Sequence, residues 1–259
     1  MDFGDIATRG LVLLGCGKMG GAMLAGWLEN GLSPDAVHVI DPKPSDWLKS
    51  TGVHVNKTLP EAPAMTLLAV KPQMMGDALP AVAALSGKTV FLSIAAGTTI
   101  ATLRAALGPD AAIIRAMPNT PAAVGRGITA LIGDTQVGAA DLDLAEALLS
   151  AVGQVVRLED EAQMDAVTAV SGSGPAYVFH LIECLAQAGE AEGLSPDLAM
   201  ALAKATVGGA GVLAEEADET PSQLRVNVTS PNGTTQAALE VLMDEGSGLP
   251  PLMGRAVAA

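Results

Sequence analysis

The chain has 259 residues, which is long enough for one large domain or for two smaller domains with cores of their own. It carries 28 acidic and 14 basic residues, and the resulting net charge of −14 disfavours a polyanionic partner such as nucleic acid. Its cysteines, Cys16 and Cys184, lie far apart in sequence, which predicts a reduced, cytoplasmic protein with neither a disulfide framework nor a metal site.

The N-terminus and the apolar runs argue against export and against a membrane. Residues Met1 to Asp5 include acidic residues where a signal peptide needs positive charge. Glycine, proline or charged residues interrupt each apolar run before the length of about 18 that suggests a spanning helix. Aromatic residues make up only 2% of the chain, so it offers no platform on which nucleic-acid bases would stack. We therefore expect a soluble protein that binds neither membranes nor nucleic acid.

An apolar run leads into the glycine-rich turn Gly15-Cys16-Gly17-Lys18-Met19-Gly20, which an Ala/Gly/Leu segment follows. This order predicts the strand, turn and helix of a dinucleotide site. In such a site Gly15 permits a tight turn, Gly17 lets the backbone approach a diphosphate, and Gly20 lets helix and strand pack closely. The N–H groups at the helix start face the phosphates. A bare G-x-G-x-x-G also occurs in ordinary turns, so the flanking elements carry the prediction.

A second strand, Ala36 to Ile40, is predicted to end at Asp41. Asp41 follows the glycine turn by about twenty residues, where dinucleotide folds place a carboxylate on the adenosine ribose hydroxyls, and this favours NADH. Two alternatives stay open at this point. Asp41 is also typical of a turn before a proline, and Lys43 is close enough in sequence to face the 2′-phosphate of NADPH.

Further apolar segments alternate with helix-like segments. The predicted strands are residues 65–70, 89–94, 111–115, 127–132 and 154–158. This alternation predicts an α/β fold with a doubly wound, largely parallel sheet. Polar or turn segments follow three of these strands at Lys71-Pro72, Ala95-Ala96 and Met117-Pro118, and ligands bind at the carboxyl ends of strands in such sheets.

From Glu159 onward the apolar residues recur at helical intervals. We therefore predict a Rossmann-like dinucleotide-binding domain over residues 1–158 and an all-α domain over residues 159–259. The second domain has very apolar helices, including residues 197–213 after the cap Ser195-Pro196. A homodimer built on these helices is the natural hypothesis, and a self-contained bundle is the alternative.

Two segments of the helical part do not suit a plain bundle. Ser171 to Tyr177 interrupts a helix with glycines and a proline, which indicates either a kink or a place where a ligand meets the backbone. Val228 to Thr235 places four hydroxyl residues just before the predicted helix 236–243. Such a turn is typical of a helix cap, and it also suits a carboxylate ligand.

No hydrolase constellation is present in the sequence. His38, His54 and His180 do not combine with Ser or Cys and a carboxylate, which disfavours triad and metal-hydrolase chemistry. Hydride transfer fits better, since a nicotinamide enzyme mainly aligns two reactants and shields them.

Six segments, in order along nearly the whole chain, resemble the delta-1-pyrroline-5-carboxylate reductase family. They are Gly15–Gly20, Val70–Gln73, Ser93–Gly97, Arg115–Pro121, Ser171–Phe179 and Leu224–Thr235. The resemblance implies NAD(P)H-dependent reduction of 1-pyrroline-5-carboxylate to L-proline, the last step of proline biosynthesis. It also implies a homodimer with interlocked helical dimerisation domains, open to assembly into a larger oligomer of dimers.

The resemblance and the glycine motif together assign the site residues. Cofactor binding, by NADPH or NADH, is assigned to Gly15, Gly17, Lys18, Met19, Gly20, Asp41, Val70, Lys71, Pro72, Ala95, Met117, Pro118 and Asn119. Substrate binding is assigned to Ser230, Asn232, Gly233, Thr234 and Thr235. The resemblance makes Thr235 the candidate catalytic residue, expected to hydrogen-bond the ring nitrogen or supply a proton, and no residue is assigned to a metal.

The sequence departs from the family at Asn232-Gly233, where Gly-Gly is usual. A positive φ at the first position then has to be adopted by asparagine, which tolerates it better than most residues. Two rival functions fit the sequence less well. A β-hydroxyacid dehydrogenase needs a lysine acid/base, and after Leu158 the sequence has only Lys204, in the wrong glycine context. A non-catalytic dimer that senses a nucleotide or proline is disfavoured by the intact Asn119, Thr120 and Thr235.

Overall fold

The structure, a computed structural model, describes residues 3–259. Met1 and Asp2, part of the acidic N-terminus considered above, lie outside the described residues. The chain divides into two compact units, the first ending at Gly172 and the second spanning Ser173–Ala259. Residues 159–172 group with the first unit by their contacts, so this division falls later in the chain than the predicted boundary near Leu158.

The first unit is built on an eight-stranded sheet. Its strands are β1 (Leu11–Leu14), β2 (Val37–Ile40), β3 (His54–Val55), β4 (Met65–Leu68), β5 (Val90–Ser93), β6 (Ala112–Met117), β7 (Gly127–Gly133) and β8 (Gly153–Arg157). Their order across the sheet is β3-β2-β1-β4-β5-β6-β7-β8. The strands from β3 to β6 are parallel, β7 is antiparallel to β6, and β8 is parallel to β7. The predicted Rossmann-like, doubly wound sheet is therefore confirmed.

Helices connect most of the strands and are the only regular secondary structure of the second unit. The first unit contains α1 (Ile6–Arg9), α2 (Lys18–Glu29), α3 (Asp46–Ser50), α4 (Met75–Ala78), α5 (Ile100–Leu107), α6 (Ala139–Ser150) and α7 (Met164–Val167). The second unit contains α8 (Gly174–Ala191), α9 (Pro196–Glu216), α10 (Pro221–Asn227), α11 (Thr234–Leu242) and α12 (Leu249–Ala258). The prediction of an all-α C-terminal part is confirmed.

The central strands are read correctly from sequence because both of their faces are covered. Every residue of β1, β4 and β5 is buried, which is why these strands are continuous apolar runs. β3 has two residues and was not predicted, since it is too short to produce a periodic pattern. β6 continues past its predicted end at Arg115 to Met117, which pairs with Ala130 of β7. Met117 therefore belongs to a strand and not to a turn.

The second unit buries little apolar surface of its own. Only Ala186, Ala199 and Ala203 form its hydrophobic core, with Ile182 and Met200 packed against them. Large apolar side chains are exposed on every one of its helices, among them Phe179, Leu202, Val226, Val241 and Leu252. A unit with so small a core is marginal on its own, so this surface needs a covering partner.

α9 has an additional property. Among residues 3–259 it is the one helix that is long and apolar enough to cross a membrane, and 11% of its most apolar stretch is buried. It begins as predicted, with Ser195 as its N-cap and Pro196 in its first turn. Lys204 lies near its middle, and placing a lysine at the centre of a membrane-spanning helix costs about 3 kcal/mol of free energy. The average apolarity of α9 therefore argues weakly for a membrane and better for contact with protein.

Candidate active site

The carboxyl ends of β1 and β4 lie side by side where the strand order reverses. β1 pairs with β2 on one side and with β4 on the other, both in parallel. The crevice at such a switch point is the place where doubly wound sheets bind ligands. Gly15, Asp41, Val70 and Ala95 closely follow β1, β2, β4 and β5, so the fold brings these predicted cofactor residues to one edge.

The three glycines of the turn have different surroundings. Gly15 has φ +89°, and a Cβ there would come within 2.8 Å of the Val70 side chain. A Cβ at Gly20 would lie 2.5 Å from the Gly15 carbonyl oxygen, so Gly20 allows α2 to pack against the turn. A Cβ at Gly17 would meet nothing within 4 Å. The predicted roles of Gly15 and Gly20 in the fold are confirmed, and Gly17 borders the open space that a diphosphate would need.

The Asp41 carboxylate joins the end of β2 to the glycine turn. Its Oδ2 accepts a hydrogen bond of 2.8 Å from the Cys16 N–H, and its Oδ1 accepts one of 2.8 Å from the Lys43 N–H. The Asn56 side chain brackets the Asp41 backbone, donating to its carbonyl at 2.7 Å and accepting from its N–H at 2.9 Å. The turn interpretation of Asp41 is therefore confirmed by its bond to the Lys43 N–H, and the carboxylate also contacts the glycine turn. Its contact with an adenosine ribose stays a prediction. Asn56 was not among the residues predicted from the sequence. It adopts a positive φ of 52°, which asparagine tolerates better than most residues.

The Cys16 thiol stays neutral in this turn. Burial, and to a smaller extent the Asp41 carboxylate, raises the pKa of Cys16 to about 11. A thiolate is the reactive form of cysteine, so this thiol is unreactive at neutral pH. The turn consequently adds no negative charge of its own where the phosphates of a dinucleotide would lie.

The remaining predicted cofactor residues are of two kinds. Lys18 and Lys71 are exposed, and among the described residues neither ammonium group has an ion-pair partner, so both can meet an anionic ligand. Met19, Val70 and Ala95 instead pack against the cores on the two faces of the sheet, so they can offer a ligand mainly backbone. Pro72 begins a short 3-10 turn directly after Lys71.

The Asn119 side chain is fixed by two hydrogen bonds to the backbone. Its Nδ2 donates to the Ser171 carbonyl at 3.1 Å, and its Oδ1 accepts from the Ile128 N–H at 2.9 Å. Only 9% of the residue is exposed. Pro118 is also buried, and Met117 reaches the backbone of Gly172, where a Cβ would come within 2.6 Å of its Cε. The turn after β6 is thus fastened to residues 171–172.

An ion pair between Arg115 and Glu161 lies at the same edge of the sheet and was not predicted from the sequence. The buried Arg115 guanidinium donates to Glu161 Oε1 at 2.8 Å, and the same oxygen accepts from the Ile100 N–H at 2.9 Å. Glu161 thereby pairs a buried charge and satisfies a free N–H at the start of α5. A charged residue inside an apolar strand, Arg115 in β6, was the signal that a carboxylate partner exists.

The hydroxyl turn of the second unit precedes α11. Asn232 adopts φ +57°, so the expectation of a left-handed asparagine at this position is confirmed. The Gly233 N–H donates to the Ser230 carbonyl at 3.0 Å, and the Asn232 N–H donates to Gln236 Oε1 at 2.8 Å. α11 begins at Thr234, two residues before its predicted start at Gln236, and Gly233 is its N-cap.

This earlier start places Thr234 and Thr235 in the first turn of α11. Within residues 3–259 the hydroxyls of Ser230, Thr234 and Thr235 have no hydrogen-bond partner. The N–H groups of a first helical turn also lack partners inside the helix, and the helix dipole favours an anion there. Hydroxyl donors, N–H donors and a positive dipole end therefore meet at one exposed turn, which suits a carboxylate.

Comparison with known proteins relates both units to one family. Residues 161–259 match the model of pyrroline-5-carboxylate reductase dimerisation, and residues 10–97 match that of NADP oxidoreductase, coenzyme F420-dependent. Pyrroline-5-carboxylate reductase of Pseudomonas aeruginosa is 40% identical over 93% of this chain and 91% of its own length.

Solved structures agree with this relation. A pyrroline-5-carboxylate reductase from Coxiella burnetii aligns with a TM-score of 0.90 at 34% identity, over 97% of this chain and 95% of that chain. The Plasmodium falciparum pyrroline carboxylate reductase with NADP bound aligns with a TM-score of 0.82 at 27% identity, with the same coverage of 97% and 95%. The likeness therefore spans the dinucleotide unit and the helical unit together.

Proposed function

The chain belongs to the pyrroline-5-carboxylate reductase family, and we propose that it reduces 1-pyrroline-5-carboxylate to L-proline with NAD(P)H, the last step of proline biosynthesis. The observation that carries this proposal is the turn before α11, where three free hydroxyls stand beside a helix N-terminus. The substrate has one carboxylate and one cyclic imine, so it needs an anion site and a hydrogen-bond donor close together. The turn supplies both.

The residues at the carboxyl edge of the sheet fit a nicotinamide dinucleotide. Gly17 leaves the space that a side chain would fill, and α2 begins directly after it, with first-turn N–H groups that lack partners inside the helix. Lys18 and Lys71 supply exposed positive charge, and Asp41 offers acceptors toward an adenosine ribose. When bound, NAD(P)H supplies the hydride that reduces the imine carbon.

The chain's own residues then have two tasks. The Thr234 N–H in the first turn of α11 and the hydroxyls of Ser230 and Thr234 bind the substrate carboxylate, while Gly233 caps the helix beside them. Thr235 places its hydroxyl toward the ring nitrogen, where it donates a hydrogen bond or supplies the proton. A protonated imine accepts hydride readily, so correct alignment is the main requirement and no strongly acidic side chain is needed.

The second unit provides the dimer. Its family match and its exposed apolar helices support a homodimer in which a second subunit covers these surfaces, α9 included. Association of such dimers into a larger oligomer is compatible with the amount of apolar surface, and we propose no nucleic-acid or membrane partner. The acidic net charge of −14 and the reduced cysteines agree with a cytoplasmic enzyme.

The activity is tested by following NADH and NADPH consumption with freshly prepared 1-pyrroline-5-carboxylate. Wild-type protein is expected to turn over with at least one cofactor. Thr235→Val, which keeps the shape of threonine but lacks its hydroxyl, is expected to lower kcat by about 100-fold, since a donor aimed at the reacting group is worth about that much. Thr235→Ser, the matched control that keeps a hydroxyl, should retain most of the activity.

Two outcomes would contradict this assignment. Cofactor binding without any turnover of the imine would indicate a sensor. Equal kcat for Thr235→Val and wild type would remove Thr235 from the reaction while leaving the activity itself standing.

The dimer is tested by light scattering of Leu202→Glu. Leu202 is 49% exposed on α9, so a buried charge there should dissociate a dimer that uses this helix. The control is Glu192→Gln, an exposed charge change at the end of α8. An unchanged mass for Leu202→Glu would exclude this face of α9 from the interface.

A further inference from the structure

Asn119 connects two segments that sequence reasoning treated separately, the turn after β6 and the interrupted helix before α8. Residues Thr168–Gly172 form a short π-helical stretch, and α8 begins only at Gly174. Such stretches leave backbone groups without their usual partners and are frequent at functional sites. The Ser171 carbonyl within this stretch accepts the Asn119 side-chain amide at 3.1 Å.

A proline explains why this carbonyl is available. In a continuous α-helix the Ser171 carbonyl would accept from the N–H four residues later, which is the position of Pro175. Proline has no N–H, so the carbonyl needs another donor. The Asn119 amide takes that place, and its Oδ1 is bound at the same time by the Ile128 N–H at 2.9 Å. One nearly buried side chain thus satisfies two backbone groups from different parts of the unit.

Both polar atoms of the Asn119 side-chain amide are therefore already hydrogen-bonded within the protein. Asn119 was assigned to direct cofactor binding, but both ends of its side chain are engaged and 9% of the residue is exposed. The neighbouring Met117 Cε packs on Gly172, so a second contact holds the same turn to the same stretch. These contacts fix the backbone at the carboxyl end of β6, on the edge of the sheet where ligands bind.

We infer that Asn119 is a positioning residue: its amide replaces the N–H that Pro175 lacks and so holds the end of β6 at Met117 and the turn that follows it in the geometry that hydride transfer requires. This inference rests on the proposed function, because it assumes that the turn lies beside the cofactor. A displacement of about 1 Å at a reacting centre can cost about 100-fold in rate. Loss of the tether should therefore lower kcat and leave cofactor affinity nearly unchanged.

The first test compares Asn119→Asp with wild type at pH 8, where an ordinary aspartate is ionised. The aspartate can still accept from the Ile128 N–H, but it cannot donate to the Ser171 carbonyl. We expect kcat to fall by about 10- to 100-fold, with the Kd of NAD(P)H changed less than about 3-fold. The Kd is read from the fluorescence of Trp47, which is 44% exposed and whose ring lies near Gly21 of α2.

The matched control is Gln136→Glu. Gln136 also donates its side-chain amide to a backbone carbonyl, that of Pro109, but at the opposite edge of the sheet. The same change from amide to carboxylate should leave kcat there within about 2-fold of wild type. A general effect of charge or of a lost surface hydrogen bond would lower both variants alike.

The second test separates positioning from simple stabilisation. Pro175→Ala gives back an N–H to the Ser171 carbonyl, so the double variant Asn119→Asp/Pro175→Ala should recover thermal stability. If Asn119 positions the turn, kcat stays low in the double variant because the hydrogen bond from residue 119 to the Ser171 carbonyl is still missing. Recovery of kcat together with Tm would show a merely structural role and overturn the inference.

Two further results would also overturn it. A rise of about 10-fold in the Kd of NAD(P)H for Asn119→Asp, with kcat unchanged, would make Asn119 a direct ligand. Unchanged amide hydrogen exchange over residues 164–172 in the same variant would show that no tether is lost. A wild-type protein without turnover would instead refute the proposed function, and the exchange measurement would still decide whether the tether exists.

Discussion

Replacing Asp41 by asparagine is expected to weaken a preference for NADH over NADPH. Each carboxylate oxygen already accepts one backbone N–H at 2.8 Å, from Cys16 and from Lys43. A carboxylate has about four acceptor sites, so about one on each oxygen remains for the two ribose hydroxyls of NADH. Hydrogen bonds to a charged acceptor contribute about 1.5–3 kcal/mol each, and NADPH lacks one of these two hydroxyls.

Charge repulsion acts in the same direction. The 2′-phosphate of NADPH carries a charge of about −1.5 to −2 at neutral pH. At about 5 Å, two unit charges repel by about 1 kcal/mol in water and by about 3 kcal/mol at an effective dielectric constant of 20. Asp41 is half-buried, and Lys43 beside it offsets part of the repulsion. A net penalty of about 2 kcal/mol corresponds to about 30-fold in kcat/KM.

The assay compares kcat/KM for NADH and NADPH in wild type, Asp41→Asn and Asp41→Ala. Wild type should prefer NADH by about 10-fold or more, and Asp41→Asn should lower this ratio by at least about 10-fold. Asp41→Ala should lower it as well, and it should also weaken NADH binding because the Cys16 N–H loses its acceptor. High salt should narrow the wild-type ratio by screening the repulsion.

The control is Asp46→Asn in α3, which removes the same charge from a fully exposed side chain nearby. Its cofactor ratio should stay within about 2-fold of wild type. A wild-type preference for NADPH, or an unchanged ratio in Asp41→Asn, would refute the reasoning. Lys43 would then be the residue that faces the 2′-phosphate.

Three further predictions concern the glycine turn, Asn232 and His38. Gly17→Ala should leave Tm unchanged because its Cβ meets nothing within 4 Å, yet it should raise the Kd of the cofactor by about 10-fold. Gly20→Ala should instead destabilise the protein by about 1–3 kcal/mol in thermal unfolding. Equal effects of the two variants on Tm and on Kd would contradict these roles. Asn232→Ala should raise the KM of the substrate, since alanine at φ +57° costs about 1 kcal/mol, while Asn232→Gly should behave like wild type. Burial, followed by the charge of His54, lowers the pKa of His38, so Tm should fall as the pH drops below about 6.5. His38→Gln should flatten that dependence, and an unchanged Tm profile would show that this histidine does not contribute.

Much of the fold was predictable because local patterns and global packing agree. The strands β1, β4 and β5 are buried on both faces, so their sequences are unbroken apolar runs that need no alternation to be recognised. The glycine turn, the Ser195-Pro196 cap and the left-handed Asn232 were also expected from residue chemistry alone. β3 was missed because two residues at a sheet edge carry no periodic signal.

Local sequence therefore determined the element types, the Rossmann-like order, and the presence of a dinucleotide turn and a hydroxyl turn. Only the tertiary structure decided which of the candidate residues are free to bind and which the protein uses itself. The amide of Asn119 is hydrogen-bonded to the backbone of Ser171 and Ile128, whereas the hydroxyl of Thr235 has no partner among the described residues. The physical reason is that a side chain's hydrogen-bonding capacity is set by what packs around it, and residues 119 and 171 meet only after the chain has folded.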